Sequence, residues 1–144
     1  MNISAKPRIA LEEIERRIGG LPLPEVDAVV AVERGGLTPG KILAAALDRP
    51  LGRIGVRYRD DGNTPEFDEP RVVGDRDIPV PPGSRLLLVD DVSVTGATLR
   101  TAAAALEGYH ITTLVLKGAG DHVAFPEFDT CVTWPWTVPA QSQG

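Results

Sequence analysis

The order of residues between 85 and 99 limits the possible folds more than any other part of this chain. Residues 86–89 form an apolar run long enough for a strand that is buried on both faces. Asp90 and Asp91 follow at once, where such a strand would end. Residues 93–98 are small or carry hydroxyls for the most part, and residues 99–106 predict a helix. Ligands of open α/β sheets bind at the carboxyl ends of strands, so this order predicts a binding site.

The chemistry of this turn suits a phosphorylated sugar. A turn that opens a helix offers backbone N–H groups and the positive end of the helix dipole, both of which favour a phosphate. Two adjacent carboxylates suit a diol, a magnesium ion or both, and they repel each other unless something cationic is near. The segment therefore predicts a site for a sugar phosphate with a cation. The alternative is a βα turn with an acidic pair and no ligand.

Composition limits both the size of the fold and the class of partner. A chain of 144 residues is predicted to be one domain, residues 1–144, with a single core. Its net charge of −5 disfavours a broad surface for nucleic acid or for an anionic membrane. No apolar run approaches the ~18–20 residues that span a bilayer, and residues 1–18 lack the apolar core of a signal peptide. We expect a cytoplasmic protein, and its single cysteine, Cys131, excludes an internal disulfide.

Apolar periodicity predicts strands that alternate with helices. The predicted helices are 7–18, 38–47 and 99–106, and the predicted strands are 26–32, 52–58, 86–89 and 111–116. Such alternation is typical of an α/β fold in three layers, with a mostly parallel sheet between helices.

Residues 59–83 differ from the rest of the chain. They are rich in proline and glycine, and they show little periodicity, which indicates a functional flap or a small hairpin. Arg57, Arg59, Arg71 and Arg76 lie in or near this segment. They either close over an anionic ligand or belong to a solvated, charged loop.

A second glycine-rich turn, residues 32–40, also lies between a predicted strand and a predicted helix. Gly35 and Gly36 let a backbone approach a ligand closely, and Arg34 can hold an anionic oxygen through its planar guanidinium. By itself this turn is weak evidence for a site.

The same turn has a competing interpretation, because residues 35–41 spell G-x-x-x-x-G-K, the phosphate-binding loop of nucleoside triphosphatases. Ile42 stands where that loop needs a hydroxyl for magnesium. Pro39 also lacks an N–H that the loop would use. Both residues disfavour the triphosphatase interpretation.

The segment Val-Asp-Asp-Val-Ser-Val-Thr-Gly-Ala-Thr, residues 89–98, resembles the signature with which type I phosphoribosyltransferases bind 5-phosphoribosyl 1-diphosphate (PRPP). Arg-Gly-Gly-Leu-Thr-Pro, residues 34–39, is similar to the pyrophosphate-contacting segment of the purine-salvage branch, with Glu33 in place of a serine. The resemblance extends from about residue 8 to residue 137 and is strongest to the small xanthine-guanine and hypoxanthine-guanine enzymes. It implies their fold, with a flexible flap and a small C-terminal hood.

The resemblance also implies an activity, namely magnesium-dependent transfer of the phosphoribosyl group of PRPP to a 6-oxopurine, with release of pyrophosphate. Asp90, Asp91 and Arg34 would carry catalysis, and Asp91 would be nearest the Mg²⁺. The implied partners are PRPP, a purine base and further copies of the chain, because relatives generally form dimers or tetramers. The implied PRPP-binding residues are Arg34, Gly35, Asp90, Asp91, Ser93, Val94, Thr95, Gly96, Ala97 and Thr98.

The resemblance places the purine base near Lys117, Cys131 and Val132. Residues 117–120, Lys-Gly-Ala-Gly, look like a variant of a Lys-Pro-Ala-Gly segment whose lysine contacts the purine 6-oxo group. Alignment on the Pro-Trp pair at residues 135–136 puts Cys131 at the position that stacks on the base and Val132 at the position that reads its edge. For Lys117 the alternative is a solvated lysine at a strand end.

Two positions depart from the family pattern. Val94 stands where 6-oxopurine enzymes commonly carry an aspartate near purine N7, and Cys131 replaces an aromatic residue. A positioned acid or base typically contributes ~10²–10⁴ in rate, so its absence slows catalysis. Two alternatives therefore stay open. One is a PRPP- or nucleotide-binding regulatory protein with little catalysis, and the other is transfer to a non-purine acceptor.

Overall fold

The computed structural model describes residues 7–57, 70–129 and 131–136. Within them the helices and strands follow the order α1 (Leu11–Gly19), β1 (Ala28–Glu33), α2 (Leu37–Leu47), β2 (Leu51–Arg57), β3 (Arg71–Asp77), β4 (Arg85–Ser93), α3 (Ala97–Ala105), β5 (His110–Gly118) and β6 (His122–Val123). The alternation of strands and helices predicted from periodicity is confirmed. None of the helices within these residues has the length and apolar character needed to cross a membrane.

The strands form a six-stranded sheet in the order β3-β2-β1-β4-β5-β6. Neighbouring strands pair in parallel, except that β2 and β3 are antiparallel. From β1 the chain moves outward to β2 and β3 on one side, and it then returns to build β4, β5 and β6 on the other. The carboxyl ends of β1 and β4 therefore flank a topological switch point, which is where open α/β sheets bind ligands. Both turns noted in the sequence follow these two strands.

Two buried clusters cover the opposite faces of the sheet, which confirms the three-layer α/β class. Residues of α1 and α2 pack on one face, and Leu99 and Ala102 of α3 pack on the other. Within β4, Leu87 faces the first cluster whereas Leu86 and Leu88 face the second, as the two-residue period of a strand requires.

The strand β4 is longer than the sequence predicted. It continues to Ser93, so Asp90 and Asp91 lie within the strand and not beyond its end. The reason is that β5 pairs with β4 as far as Ser93↔Gly118, so the backbone hydrogen bonds between the strands continue beyond the apolar residues. A pattern of apolar residues reports burial, and it does not report where backbone pairing stops.

The segment that was predicted to be a flap is divided. Residues 71–77 form the edge strand β3, which pairs with β2 through Val56↔Val72 and Gly55↔Val73. This is the hairpin alternative, and it holds for the described part of the segment. Residues 59–69 lie outside the described residues.

The chain ahead of α1 is extended and pairs with the C-terminal segment. The helix begins at Leu11, later than predicted, because Ile9 N–H donates to Thr133 O (3.0 Å) and Thr133 N–H donates to Pro7 O (2.8 Å). Trp134 is buried beside these residues. The C-terminal segment is thereby fixed against the α1 side of the sheet.

Candidate active site

A cavity of about 810 Å³ lies at the carboxyl ends of β1, β2 and β4. Its volume is within the range of sites that take small molecules and cofactors. The residues that line it come from the turn after β1, from the β2–β3 hairpin and from the turn before α3. They are Glu33, Arg34, Gly55, Val56, Arg57, Pro70, Val73, Gly74, Asp75 and residues 92–98. Arg34 and the turn 93–98, which are far apart in sequence, therefore meet in one cavity.

The turn before α3 has the form of an anion cradle. Gly96 caps the helix with a φ of +83°, a left-handed conformation that glycine adopts without a Cβ clash. Ala97 N–H donates to Thr95 Oγ1 at 3.2 Å. Because residues 94–98 line the cavity, the amino end of α3 opens into it, and the helix dipole favours an anion there.

Ser93 contributes a buried hydroxyl to the same wall. The residue is 4% exposed, and its Oγ has no hydrogen-bond partner among the described residues. A buried polar group without a partner costs roughly 1–3 kcal/mol. Since Ser93 lines the cavity, a polar ligand atom would satisfy this hydroxyl.

Asp90 and Asp91 precede the turn on β4. Burial, together with the neighbouring Asp91 carboxylate, raises the pKa of Asp90 to about 8. Asp90 Oδ1 accepts a hydrogen bond from Asp91 N–H at 2.8 Å. Asp91 is half-buried, and its Oδ1 accepts from Val92 N–H at 2.7 Å. Asp90 therefore holds a proton at neutral pH until hydroxyl donors or a cation favour its charged form.

The turn after β1 packs directly against this acid pair. A Cβ on Gly35 would lie 2.3 Å from Asp91 Oδ1, and a Cβ on Gly36 would lie 2.2 Å from Val89 O. Both glycines therefore allow the turn to approach β4 closely, and the approach of Gly35 to a ligand stays a prediction. The turn after β1 therefore lies directly beside the end of β4, which leads into the turn before α3. The peptide bond between Glu33 and Arg34 is cis.

The loop after β5 packs equally closely against the turn before α3, residues 93–98, which we call the phosphate turn. A Cβ on Gly118, whose φ is +108°, would lie 2.0 Å from Ser93 O. Ala119 N–H donates to the same oxygen at 2.7 Å. Lys117 pairs with Val92, so it lies inside β5 and next to the strand that carries the acids.

Comparison with known proteins agrees with this geometry. Residues 10–122 match the family described as phosphoribosyl transferase domain. The chain belongs to the phosphoribosyltransferase family. An orotate phosphoribosyltransferase of Aeropyrum pernix is 34% identical over 114 residues, which are 74% of this chain and 56% of that protein. A xanthine-guanine phosphoribosyltransferase of Idiomarina loihiensis is 31% identical over 135 residues, 90% of this chain and 81% of that protein.

Solved phosphoribosyltransferases have the same fold. A purine phosphoribosyltransferase from Pyrococcus horikoshii superimposes with a TM-score of 0.72, covers 92% of this chain and 95% of that chain, and is 26% identical. The mixed sheet with its switch point between β1 and β4 is thus the type I phosphoribosyltransferase fold. The chain spans little more than half the length of the orotate enzyme named above.

The predicted phosphoribosyltransferase residues are not all in one place. Arg34 and residues 93–98 line the cavity, and Gly35 packs against Asp91 at its edge. The described lining includes neither acid of the pair, and it does not include Lys117. Cys131 is exposed, and Val132 is buried against the α1 face. Their roles toward a base remain predictions.

Sequence analysis missed several residues of this phosphoribosyltransferase cavity. Val56 on β2 and Val73 and Asp75 on β3 belong to its lining. The proline- and glycine-rich composition around β3 hid this strand. Glu33 was left without a role, and its carboxylate lies 3.9 Å from the Arg53 guanidinium on β2.

The structure rejects the triphosphatase alternative. Gly40 and Lys41 lie inside α2, which begins at Leu37, and the lysine is exposed. Residues 35–41 therefore do not form a phosphate-binding loop.

A magnesium ion fits this phosphoribosyltransferase site only if a ligand supplies oxygens. Among the described residues there is no group of three or more His, Cys, Asp or Glu side chains suited to a metal. Magnesium usually binds through one or two carboxylates together with substrate phosphates. Asp91 is the carboxylate that would hold it, with Asp90 beside it.

Proposed function

We propose that this chain transfers the 5-phosphoribosyl group of PRPP to a purine base, with a 6-oxopurine as acceptor, and releases pyrophosphate. The observation that carries the proposal is the meeting of the Ser93 hydroxyl, the open amino end of α3 and Arg34 in one cavity. A purine acceptor is supported by the xanthine-guanine relative, which matches 90% of this chain, and by the Pyrococcus purine enzyme.

In this proposal the 5-phosphate occupies the turn before α3. The Ser93 hydroxyl, which has no partner among the described residues, donates to a phosphate oxygen. Thr95 and Thr98 add hydroxyls, and backbone N–H groups at the start of α3 complete the cradle. The positive end of the α3 dipole lowers the energy of the dianion.

The acid pair binds the ribose. The 2- and 3-hydroxyls of a ribosyl group are donors, and Asp90 and Asp91 are acceptors when ionised. Ribose hydroxyls and a nearby cation stabilise the charged form of Asp90, whose pKa is raised by burial and by the Asp91 carboxylate. Binding of PRPP with magnesium is thus coupled to loss of the Asp90 proton.

Arg34 and Arg57 receive the pyrophosphate. Both line the cavity, and guanidinium groups bind phosphate oxygens through paired N–H donors. Asp91 and ligand oxygens would hold a magnesium ion, which would supply positive charge against the diphosphate leaving group.

The reaction asks little covalent chemistry of the protein. The bond from C1′ to the diphosphate breaks through a state with oxocarbenium character, and pyrophosphate leaves with the bonding electron pair. The base nitrogen bonds to C1′ and gives up its proton to solvent. The side chains act by holding both reactants in line and by neutralising the leaving group. Lys117 contacts the 6-oxo group, and Cys131 and Val132 contact the base.

One side chain favours a second candidate function. Val94 is 83% exposed and lines the cavity where the resemblance expects an acid, so the chain has no proton-transfer group at that position. A PRPP-binding protein with little turnover, or an enzyme for another acceptor, would tolerate this valine.

The test is release of pyrophosphate in the presence of PRPP, Mg²⁺ and single bases from a panel of guanine, xanthine, hypoxanthine, adenine, uracil and orotate. Release with a 6-oxopurine supports the proposal, and Asp91→Asn abolishes it. Release with orotate or uracil alone assigns a different acceptor. Saturable binding of PRPP with no release across the panel supports the regulatory candidate and contradicts the enzyme.

A further inference from the structure

Arg100 is an exposed residue in the first turns of α3 whose side chain reaches back to the phosphate turn. Its Nη1 donates to the Thr95 carbonyl oxygen at 3.0 Å. The same nitrogen lies 2.9 Å from the position that a Cβ on Gly96 would occupy. The glycine therefore leaves the space through which the guanidinium reaches the turn.

This contact fixes the orientation of one peptide unit. The Thr95–Gly96 peptide is trans, and the cis peptide among the described residues is the one between Glu33 and Arg34. In a trans peptide the C=O and N–H groups point in opposite directions. A guanidinium that holds the Thr95 carbonyl therefore keeps Gly96 N–H pointing away from Arg100.

The charge of Arg100 is also not cancelled nearby. Within the described part of the chain, no acidic side chain lies at ion-pair distance from its guanidinium, whereas Arg16, Arg17 and Arg85 each have a carboxylate partner. A positive group beside the amino end of a helix adds to the field that an incoming phosphate meets.

We infer that Arg100 is a positioning residue for the 5-phosphate. It holds the Thr95–Gly96 peptide in its anion-binding orientation, and it adds a positive charge to the amino end of α3. Arg100 is not among the residues that line the cavity, so it acts through the turn. The inference rests on the proposed function, because it assumes that a sugar phosphate binds at this turn.

The experiment measures binding of two probes by calorimetry in the presence of Mg²⁺. Ribose 5-phosphate reports the phosphate turn, and inorganic pyrophosphate reports the Arg34 side of the cavity. Arg100→Met weakens ribose 5-phosphate about tenfold, since it removes a charge-assisted hydrogen bond. It changes pyrophosphate affinity by less than about twofold, because that anion binds elsewhere.

Two further variants separate charge from geometry. Arg100→Lys keeps the charge and one donor and restores most of the affinity for ribose 5-phosphate. Arg16→Met removes an equal charge from an exposed arginine of α1 and leaves both affinities at wild-type values. In turnover, Arg100→Met raises KM for PRPP and leaves kcat nearly unchanged.

The outcomes distinguish this inference from the proposed function. If Arg100→Met binds ribose 5-phosphate as well as the wild type does, the inference is wrong and the proposed function stands. Equal loss of both probes also overturns it, because the residue would then support the fold in general. Failure of the wild type to bind either PRPP or ribose 5-phosphate overturns the proposed function itself.

Discussion

Ala119 N–H donates a 2.7 Å hydrogen bond to the carbonyl oxygen of Ser93, and this bond joins the loop after β5 to the turn that opens α3. Gly118 makes the approach possible, since any side chain there would enter the space of the Ser93 carbonyl. The loop that follows Lys117 and the phosphate turn are therefore built as one unit. Displacement of one displaces the other, although their residues are far apart in sequence.

Gly118→Ala tests this unit. The new Cβ meets Ser93 O, so we expect a loss of at least about 3 kcal/mol in stability and a large fall in PRPP affinity. Gly108→Ala is the matched control, because its φ is +97° but its nearest neighbour is 3.8 Å away. We expect it to cost only about 1–2 kcal/mol, the penalty of a left-handed conformation. Urea denaturation and PRPP titration measure both effects, and equal losses in the two variants would show that the contact is unimportant.

The pH dependence of stability tests the environment of Asp90. Its pKa in the folded protein, about 8, exceeds its ordinary value of 3.8, so the folded state binds more protons between these values. The stability due to this group is therefore complete at low pH and is lost as pH rises toward 8. Over that window the free energy of unfolding falls by up to about 1.4 kcal/mol for each pH unit.

Asp90→Asn removes this dependence. The stability of the ligand-free variant should therefore vary much less between pH 5 and pH 8, the window that lies below the raised pKa of Asp90, about 8. Asp27→Asn is the matched control, because hydrogen bonds from Arg85 lower the pKa of Asp27 to about 2, well below this window, so this variant should keep the wild-type pH dependence between pH 5 and pH 8. A wild-type stability that rises with pH through this window would contradict the assignment to Asp90.

Val94→Asp tests whether the missing acid limits turnover. An aspartate at this exposed position of the cavity restores a group that can exchange a proton with a purine nitrogen, and we expect turnover with 6-oxopurines to rise about tenfold or more. Val73→Asp places the same charge on β3, elsewhere in the lining of the cavity, and should give no gain. Steady-state rates of pyrophosphate release compare the two. No gain from Val94→Asp would mean that proton transfer does not limit the reaction.

Sequence was sufficient for the fold and for one half of the site. Periodicity located β1, α2, β4 and α3, because buried strands and amphipathic helices leave apolar patterns. The glycines at 35 and 36 marked real close approaches, of Gly35 to the Asp91 carboxylate and of Gly36 to the Val89 carbonyl oxygen. The acid pair with its turn led directly to the residues that line the cavity.

The remaining features depend on contacts that no local pattern records. The extension of β4 to Ser93 depends on pairing with Gly118, which is 25 positions away by their numbers. The edge strand β3 is mostly exposed and rich in charged residues, so its sequence lacks the apolar alternation by which a buried strand is recognised. The reach of Arg100 to Thr95 depends on the left-handed turn at Gly96, and composition does not show that geometry.

The buried Ser93 hydroxyl has its role, in our proposal, as a hydrogen-bond donor to the 5-phosphate. Ser93→Ala tests it most directly, because a ligand role and a structural role predict opposite signs. We expect the ligand-free protein to become more stable by about 1 kcal/mol, since a buried hydroxyl without a partner among the described residues is removed. PRPP affinity measured by calorimetry on the same variant should fall about tenfold. Lower stability of the ligand-free variant, or PRPP affinity equal to that of the wild type, would contradict this account of the site.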